Sequence, residues 1–162
     1  MLKKIMERMI EYLKNSPEFN RFIETKIRQF YKQETLQIYR VWGDENKIFL
    51  GRDVHLNDAL INTTCGTVSI GDYTFLGHGV SLLTGTHDVT KKDLERQSAI
   101  PSEGRDIKIG RGVWIASKAL ILGPCEIGDN AVIAAGSVAT GKIEANSFYA
   151  GSPATIKRKI TE

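Results

Sequence analysis

Aliphatic residues recur at intervals of six along most of the chain. The members of this repeat are Ile70, Leu76, Leu82, Ile109, Ile115, Ile121, Ile127 and Ile133. A period of six fits neither the 3.6 residues of an α-helical turn nor the simple alternation of a long strand, so each unit is a short strand followed by a corner. Such units bury their aliphatic side chains together when they stack, and the pattern therefore predicts a solenoid of parallel coils.

Small or β-branched residues lie four places after each aliphatic, and we expect them to point inward as well. They are Thr74, Val80, Thr86, Val113, Ala119, Cys125, Ala131 and Ser137. An ordinary parallel sheet is the alternative, but its strands need crossover connections of about a dozen residues, and consecutive hexads leave no room for them. The repeat therefore favours the solenoid.

The rest of the chain divides around this repeat. Residues 1–47 form an N-terminal helical segment with a lead-in strand, in which Asn15-Ser16-Pro17 ends one helix and begins another. Residues 48–162 form the solenoid domain. The period is lost in a polar stretch, 88–106, which we interpret as an excursion loop, and residues 150–162 are expected to cap the last coil. Long loops in compact repeats are usually functional.

Composition and charge exclude several classes of protein. The net charge is +3, from 22 basic and 19 acidic residues, which is too balanced to indicate a nucleic-acid partner. No apolar run is long enough for an integral membrane segment or a signal peptide, so we expect a cytoplasmic protein. Two cysteines, Cys65 and Cys125, do not make a disulfide framework.

His87 is the candidate for chemistry, because it lies where the repeat gives way to the long loop. If Thr86 points inward, His87 points outward at the mouth of that loop. An imidazole that exchanges a proton near neutral pH suits general base catalysis. His55 and His78 do not fall at the coil spacing that would stack them with His87, so no metal site is expected.

Four segments resemble one known family. They are Thr84-Gly85-Thr86-His87-Asp88, Gly112-Val113-Trp114-Ile115-Ala116-Ser117, Ile133-Ala134-Ala135-Gly136-Ser137-Val138 and Ala150-Gly151-Ser152-Pro153-Ala154. Together they are similar to the hexapeptide-repeat acyltransferases, in particular the galactoside, maltose and nodulation-factor O-acetyltransferases. This resemblance implies an all-β fold, a left-handed parallel β-helix, and homotrimers whose active sites lie between subunits.

The resemblance also implies roles for individual residues. His87 stands at the position of the catalytic base, and acetyl-coenzyme A is the co-substrate with no metal. Oxyanion stabilisation and coenzyme binding are assigned to Ser117, Trp114, Ala135 and Thr140, although Trp114 could equally pack at a subunit seam. Thr155 replaces an arginine that is frequent in the family, which leaves Arg158, Lys157 or Lys159 to meet the coenzyme phosphate. Acceptor binding is assigned to His55, Asn57 and Asn62.

The sequence therefore predicts an acetyl-coenzyme A-dependent O-acetyltransferase that acts on a small-molecule or glycan hydroxyl, with a role in surface polysaccharide or glycoconjugate synthesis. An N-acetyltransferase for an amino sugar or an antibiotic is an alternative that would use the same groove and base. A non-catalytic trimeric scaffold and a metal-dependent, carbonic-anhydrase-like solenoid are alternatives from other classes.

Overall fold

The computed structural model describes residues 10–34 and 38–161. The chain forms two compact units, residues 1–36 and residues 37–162. In the first unit, residues 10–14 are helical and helix α1 spans Pro17–Glu34. Ser16 caps α1, because its hydroxyl oxygen accepts a hydrogen bond from the Phe19 N–H at 3.3 Å. The predicted helix over residues 1–9 and the start of the lead-in strand at 35–37 lie outside the described residues.

Parallel strands of the second unit stack in three columns. The first column holds β1 (Arg40–Trp42), β3 (Leu60–Asn62), β6 (Ser81–Leu83) and the first halves of β9 (Leu120–Ile127) and β11 (Val138–Ile143). The second holds β2 (Ile48–Leu50), β4 (Val68–Ile70), β7 (Ile107–Ile109) and the second halves of β9 and β11. The third holds β5 (Phe75–Leu76), β8 (Trp114–Ile115), β10 (Val132–Ile133) and β12 (Ser147–Gly151).

Short connections complete the coils and close their end. A 3₁₀ turn, Glu45–Lys47, joins β1 to β2, and a short helix, α2 (Asp93–Ser98), lies in the long loop. The last strand, β13 (Ala154–Lys159), pairs antiparallel with β12. Because β1 pairs in parallel with β3, the lead-in strand belongs to the first coil.

The aliphatic residues of the six-residue repeat form the core. They are buried in one continuous cluster that runs the length of the coils: Ile70, Leu76, Leu82, Ile109, Ile115, Ile121, Ile127 and Ile133. Cys125, one of the predicted inward small residues, is also buried, and burial raises the pKa of its thiol to about 11. The predicted parallel solenoid is confirmed, since stacked aliphatic rows exclude water from all three columns.

Two details of the predicted repeat are wrong. Thr84 occupies the inward place after Leu82 and is fully buried, whereas Thr86 is half-buried at the surface. The last coil is two residues short, because the register shifts between Thr140 and Gly141 and Ile143 stacks on Ile127. Strand pairing outweighs the strict sequence period where a corner can be shortened. His87 is exposed although the inward residue is Thr84 and not Thr86.

No helix within residues 10–34 or 38–161 is long and apolar enough to cross a membrane.

Candidate active site

His87 lies four residues after the end of β6, where the chain leaves the first column for the long loop, and its side chain is exposed. Its ring atom Nδ1 is 3.0 Å from the backbone carbonyl oxygen of Arg96. A carbonyl oxygen can accept a hydrogen bond but cannot donate one, so Nδ1 carries the proton in this contact. In the neutral imidazole, Nε2 is then left with its lone pair free to accept a proton.

The loop is built to hold the Arg96 carbonyl in place. The Arg96 side chain donates to the carbonyl oxygen of Lys91 at 2.6 Å, and Lys91, two residues before α2, pairs with Glu95 of that helix at 2.7 Å. The N–H of Asp88 donates to the carbonyl oxygen of Ala99 at 2.9 Å, which closes the loop behind His87. These contacts within the loop fix the position of the Arg96 carbonyl oxygen, which orients the His87 ring.

Asp88 stabilises the first turn of the same loop. Its carboxylate accepts hydrogen bonds from the side chain and the backbone N–H of Thr90, and these two bonds lower the pKa of the carboxyl group. The Asp88 carboxylate therefore stabilises the loop, whereas the hydrogen-bond partner of the His87 ring is the Arg96 carbonyl oxygen in α2.

A cavity of about 260 Å³ opens beside His87. Its lining residues are Trp42, Asn62, Thr64, Leu83, Gly85, Thr86, His87 and Ile100. Asn62, which the sequence assigned to acceptor binding, thus shares a cavity with the candidate base. Its side-chain oxygen accepts from the Thr64 N–H at 3.0 Å, and Gly85 leaves space for its amide.

The other two residues predicted for the acceptor lie elsewhere. His55 and Asn57 line a separate cavity of about 530 Å³ together with Phe75. The Asn57 amide donates to the carbonyl oxygen of Leu76 at 2.5 Å, so it bridges neighbouring coils. Trp114 of β8 lies next to Phe75 of β5 in the third column, and the two rings stack with their centroids 5.9 Å apart.

Ser117 lies at the corner between the third and first columns, and stacked corners hold it in position. Its hydroxyl oxygen accepts from the backbone N–H of His78 at 3.2 Å. Asp58 in turn contacts the His78 ring at 3.2 Å and the Gly79 N–H at 2.9 Å. Burial raises the pKa of the Asp58 carboxyl group, but the hydrogen bonds from Gly79 and His78 outweigh that effect and lower it overall.

The remaining predicted coenzyme residues extend from this corner towards the cap. Ala135 is exposed one coil beyond Ser117, and the N–H of Gly136 donates to the Ser117 carbonyl oxygen at 3.0 Å. Thr140 is exposed at the end of the first column in β11. Arg158 lies in β13, with its guanidinium 5.5 Å from the centre of the Phe148 ring.

The base of the long loop is anchored by residues that the sequence analysis did not identify. The Asp106 carboxylate accepts from both the N–H and the hydroxyl of Thr67, at 2.7 and 3.0 Å, and these bonds lower its pKa. Arg105 donates from Nε to the Thr84 carbonyl oxygen at 2.9 Å. Asp106 also ends the polar stretch in the sequence, which is the signal that could have identified it.

Over residues 10–34 and 38–161, no three His, Cys, Asp or Glu side chains lie close enough together to hold a metal ion.

A parallel β-helix built from six-residue repeats is the fold of the hexapeptide-repeat transferases. Residues 106–141 match the family described as "Bacterial transferase hexapeptide (six repeats)". The galactoside O-acetyltransferase of Escherichia coli is 35% identical over 125 residues, which cover 77% of this chain and 59% of that protein.

Solved structures agree with this match. A maltose O-acetyltransferase from Clostridium difficile has a TM-score of 0.64 and 32% identity, covering 78% of this chain and 65% of that one. A galactoside acetyltransferase in complex with coenzyme A has a TM-score of 0.65 and 29% identity, covering 94% and 77%. The chain belongs to the hexapeptide-repeat transferase family, and the predicted left-handed parallel β-helix is confirmed. The chain spans between 43% and 60% of the length of the curated relatives it matches.

Proposed function

We propose that this chain is an acetyl-coenzyme A-dependent O-acetyltransferase that acts on a sugar hydroxyl, with a role in surface polysaccharide or glycoconjugate synthesis. The observation that carries this proposal is the hydrogen bond from His87 Nδ1 to the Arg96 carbonyl, because it leaves Nε2 as a proton acceptor beside a cavity. The names of the relatives, which include galactoside and maltose O-acetyltransferases, support the acyl group and the acceptor class.

The reaction that suits this site is direct transfer. His87 Nε2 takes the hydroxyl proton as the acceptor oxygen attacks the thioester carbonyl carbon. The carbon–sulfur bond then breaks, and the same proton passes to the departing thiolate, which leaves as coenzyme A. The ester product and the free thiol account for all atoms, and His87 returns to its starting state.

We infer that the complete site is formed between subunits of a homotrimer. In one chain, His87 lies at the exit from the first column, whereas Trp114 lies in β8 of the third column and Ser117 at the corner that follows it. A Ser117 N–H that stabilises the oxyanion would therefore come from a neighbouring copy. The trimer brings the two kinds of corner together.

A single substitution tests the role of His87. We expect His87→Ala to lower the rate of thiol release from acetyl-coenzyme A, with maltose or a methyl galactoside as acceptor, by on the order of 10² to 10⁴. The matched control is Lys92→Ala, at an exposed position of the same loop whose side chain makes no capping hydrogen bond. Circular dichroism and thermal melts check that both variants fold. An unchanged rate in folded His87→Ala would contradict the proposal.

A further inference from the structure

Trp42 has an unusual position for a tryptophan. It is 70% exposed on β1, whereas tryptophan is among the most buried residue types on average. Its neighbours in the first column are set by strand register: Trp42 pairs with Asn62, and Asn62 pairs with Leu83. This row places the indole at the wall of the cavity that also contains His87.

The lining of that cavity has two distinct parts. Trp42, Leu83 and Ile100 supply apolar surface, and all three are at least partly exposed to solvent. Asn62, Thr64 and Thr86 supply amide and hydroxyl groups. Among the eight lining residues, His87 is the one with an ionisable side chain, so a charged ligand would find no fixed counter-charge in this cavity.

Asn62 has a free donor on the polar side. Its Oδ1 accepts from the Thr64 N–H at 3.0 Å and lies 3.3 Å from the Thr84 hydroxyl. Its Nδ2 has no hydrogen-bond partner among the residues that the structure describes. Gly85 lies so close that a Cβ there would be 2.9 Å from Nδ2, so glycine keeps the amide accessible.

We propose that Trp42 is the platform on which the acceptor binds, and that the acceptor is a single neutral pyranose ring. The apolar C–H face of the ring packs on the indole. Ring hydroxyls accept a hydrogen bond from the Asn62 amide and form another with the Thr64 hydroxyl, and one further hydroxyl donates to His87 Nε2. The volume of about 260 Å³ is just below the ~300 Å³ at which typical ligand pockets begin, which suits one ring. The inference rests on the proposed function for the identity of His87 as base.

Binding can be measured without any transfer reaction. The chain has two tryptophans, so in a Trp114→Phe background the fluorescence excited at a wavelength that tyrosine does not absorb reports Trp42 alone. We expect methyl glucopyranoside or methyl galactopyranoside to change this emission saturably, with and without coenzyme A present. Sorbitol, an open-chain polyol, and L-serine, a zwitterion, are expected to leave it unchanged. The same response from sorbitol would overturn the pyranose assignment, and no response from either pyranoside would overturn the platform.

Variants separate this proposal from the proposed function. Trp42→Ala is expected to raise KM for the pyranoside by about 10- to 100-fold with KM for acetyl-coenzyme A unchanged, because loss of even one methylene contact in an apolar pocket changes discrimination by about 10- to 200-fold. Trp42→Phe is expected to restore most of the loss. His87→Ala is expected to keep the fluorescence response while losing transfer. If pyranosides bind at Trp42 but no acetyl group is transferred, the proposed function fails and the platform stands.

Two further outcomes would overturn the platform. One is transfer to pyranosides with the same KM in Trp42→Ala as in the parent. The other is a change in the oligomeric state of Trp42→Ala, measured by light scattering, because Trp42 would then be packing against another copy.

Discussion

A single hydrogen bond fixes the chemical character of His87. Its Nδ1 faces a backbone carbonyl that cannot donate, so the tautomer follows from the shape of the loop. Substitution of the Arg96 side chain keeps the acceptor itself, because that acceptor is a main-chain atom, but it removes the hydrogen bond to Lys91 that helps to position it. What the loop residues control is the position of that carbonyl.

Asp106 is the residue whose charge anchors the loop most directly. Two hydrogen bonds from Thr67 lower the pKa of its carboxyl group, so the folded state favours the ionised form. A carboxyl group with a depressed pKa stabilises the fold above its unfolded pKa of about 3.9, and this stabilisation is lost as the pH falls through the folded value. The anchor is therefore fully present at neutral pH and weakens in acid.

We expect Asp106→Asn to lower the free energy of unfolding at pH 7 by about 1 kcal/mol, or less because the site is half-buried and screened by water. The difference from the parent should shrink below about pH 4, where the parent carboxylate is also protonated. Urea unfolding at several pH values measures both. Glu103→Gln, at an exposed position in the same loop, is the control. A difference that stays constant down to pH 3 would contradict the role of the charge.

At the scale of the strands, two inward residues in each six, one aliphatic and one smaller, account for most of the core. Ile121 is fully buried in β9, where it stacks between Leu82 of β6 and Ala139 of β11. Each inward aliphatic therefore contacts the coil before it and the coil after it. A cavity at such a position cannot be filled easily, because both neighbouring coils are held by strand hydrogen bonds.

Ile121→Ala is expected to reduce the free energy of unfolding by about 2 to 5 kcal/mol, the usual cost of deleting a large aliphatic side chain from a packed core. The control is Glu126→Ala in the same strand, where the side chain is exposed and the change should stay within about 0.5 kcal/mol. Denaturant unfolding with a common m-value measures both. A small effect at Ile121 would mean that the coils can repack around the vacancy.

The sequence predicted the positions of the strands better than it predicted which residues of adjacent coils lie side by side. The six-residue repeat identifies inward positions from local information, so the buried rows follow directly. The contents of the cavity depend on coil length. Coils of 18 residues would place Asp44 and Val80 beside Asn62, whereas the longer early coils place Trp42 and Leu83 there. The tautomer of His87 could not be predicted from the sequence either. It depends on the Arg96 carbonyl in α2, and α2 lies in a stretch without any repeat.

At the scale of the whole molecule, the candidate residues fall into two groups that one chain does not bring together. His87, Trp42 and Asn62 surround one cavity, while Trp114 and Ser117 belong to another column and corner. If the proposed trimer forms, each site takes its base from one subunit and its coenzyme-binding surface from the next. This arrangement makes activity a property of subunit pairs.

Mixed trimers test this sharing. We expect His87→Ala and Trp114→Ala homotrimers each to be impaired, and mixed trimers isolated after co-expression of the two variants to recover about a third of the parental activity, because one of the three interfaces in each mixed trimer pairs an intact His87 with an intact Trp114. Purification through two different tags isolates the mixed species. Homotrimers mixed after purification, without subunit exchange, are the control and should stay impaired. Since neither variant holds both groups in one chain, recovery requires that the groups meet across an interface; mixed trimers that remain as impaired as the homotrimers would place each site within a single subunit.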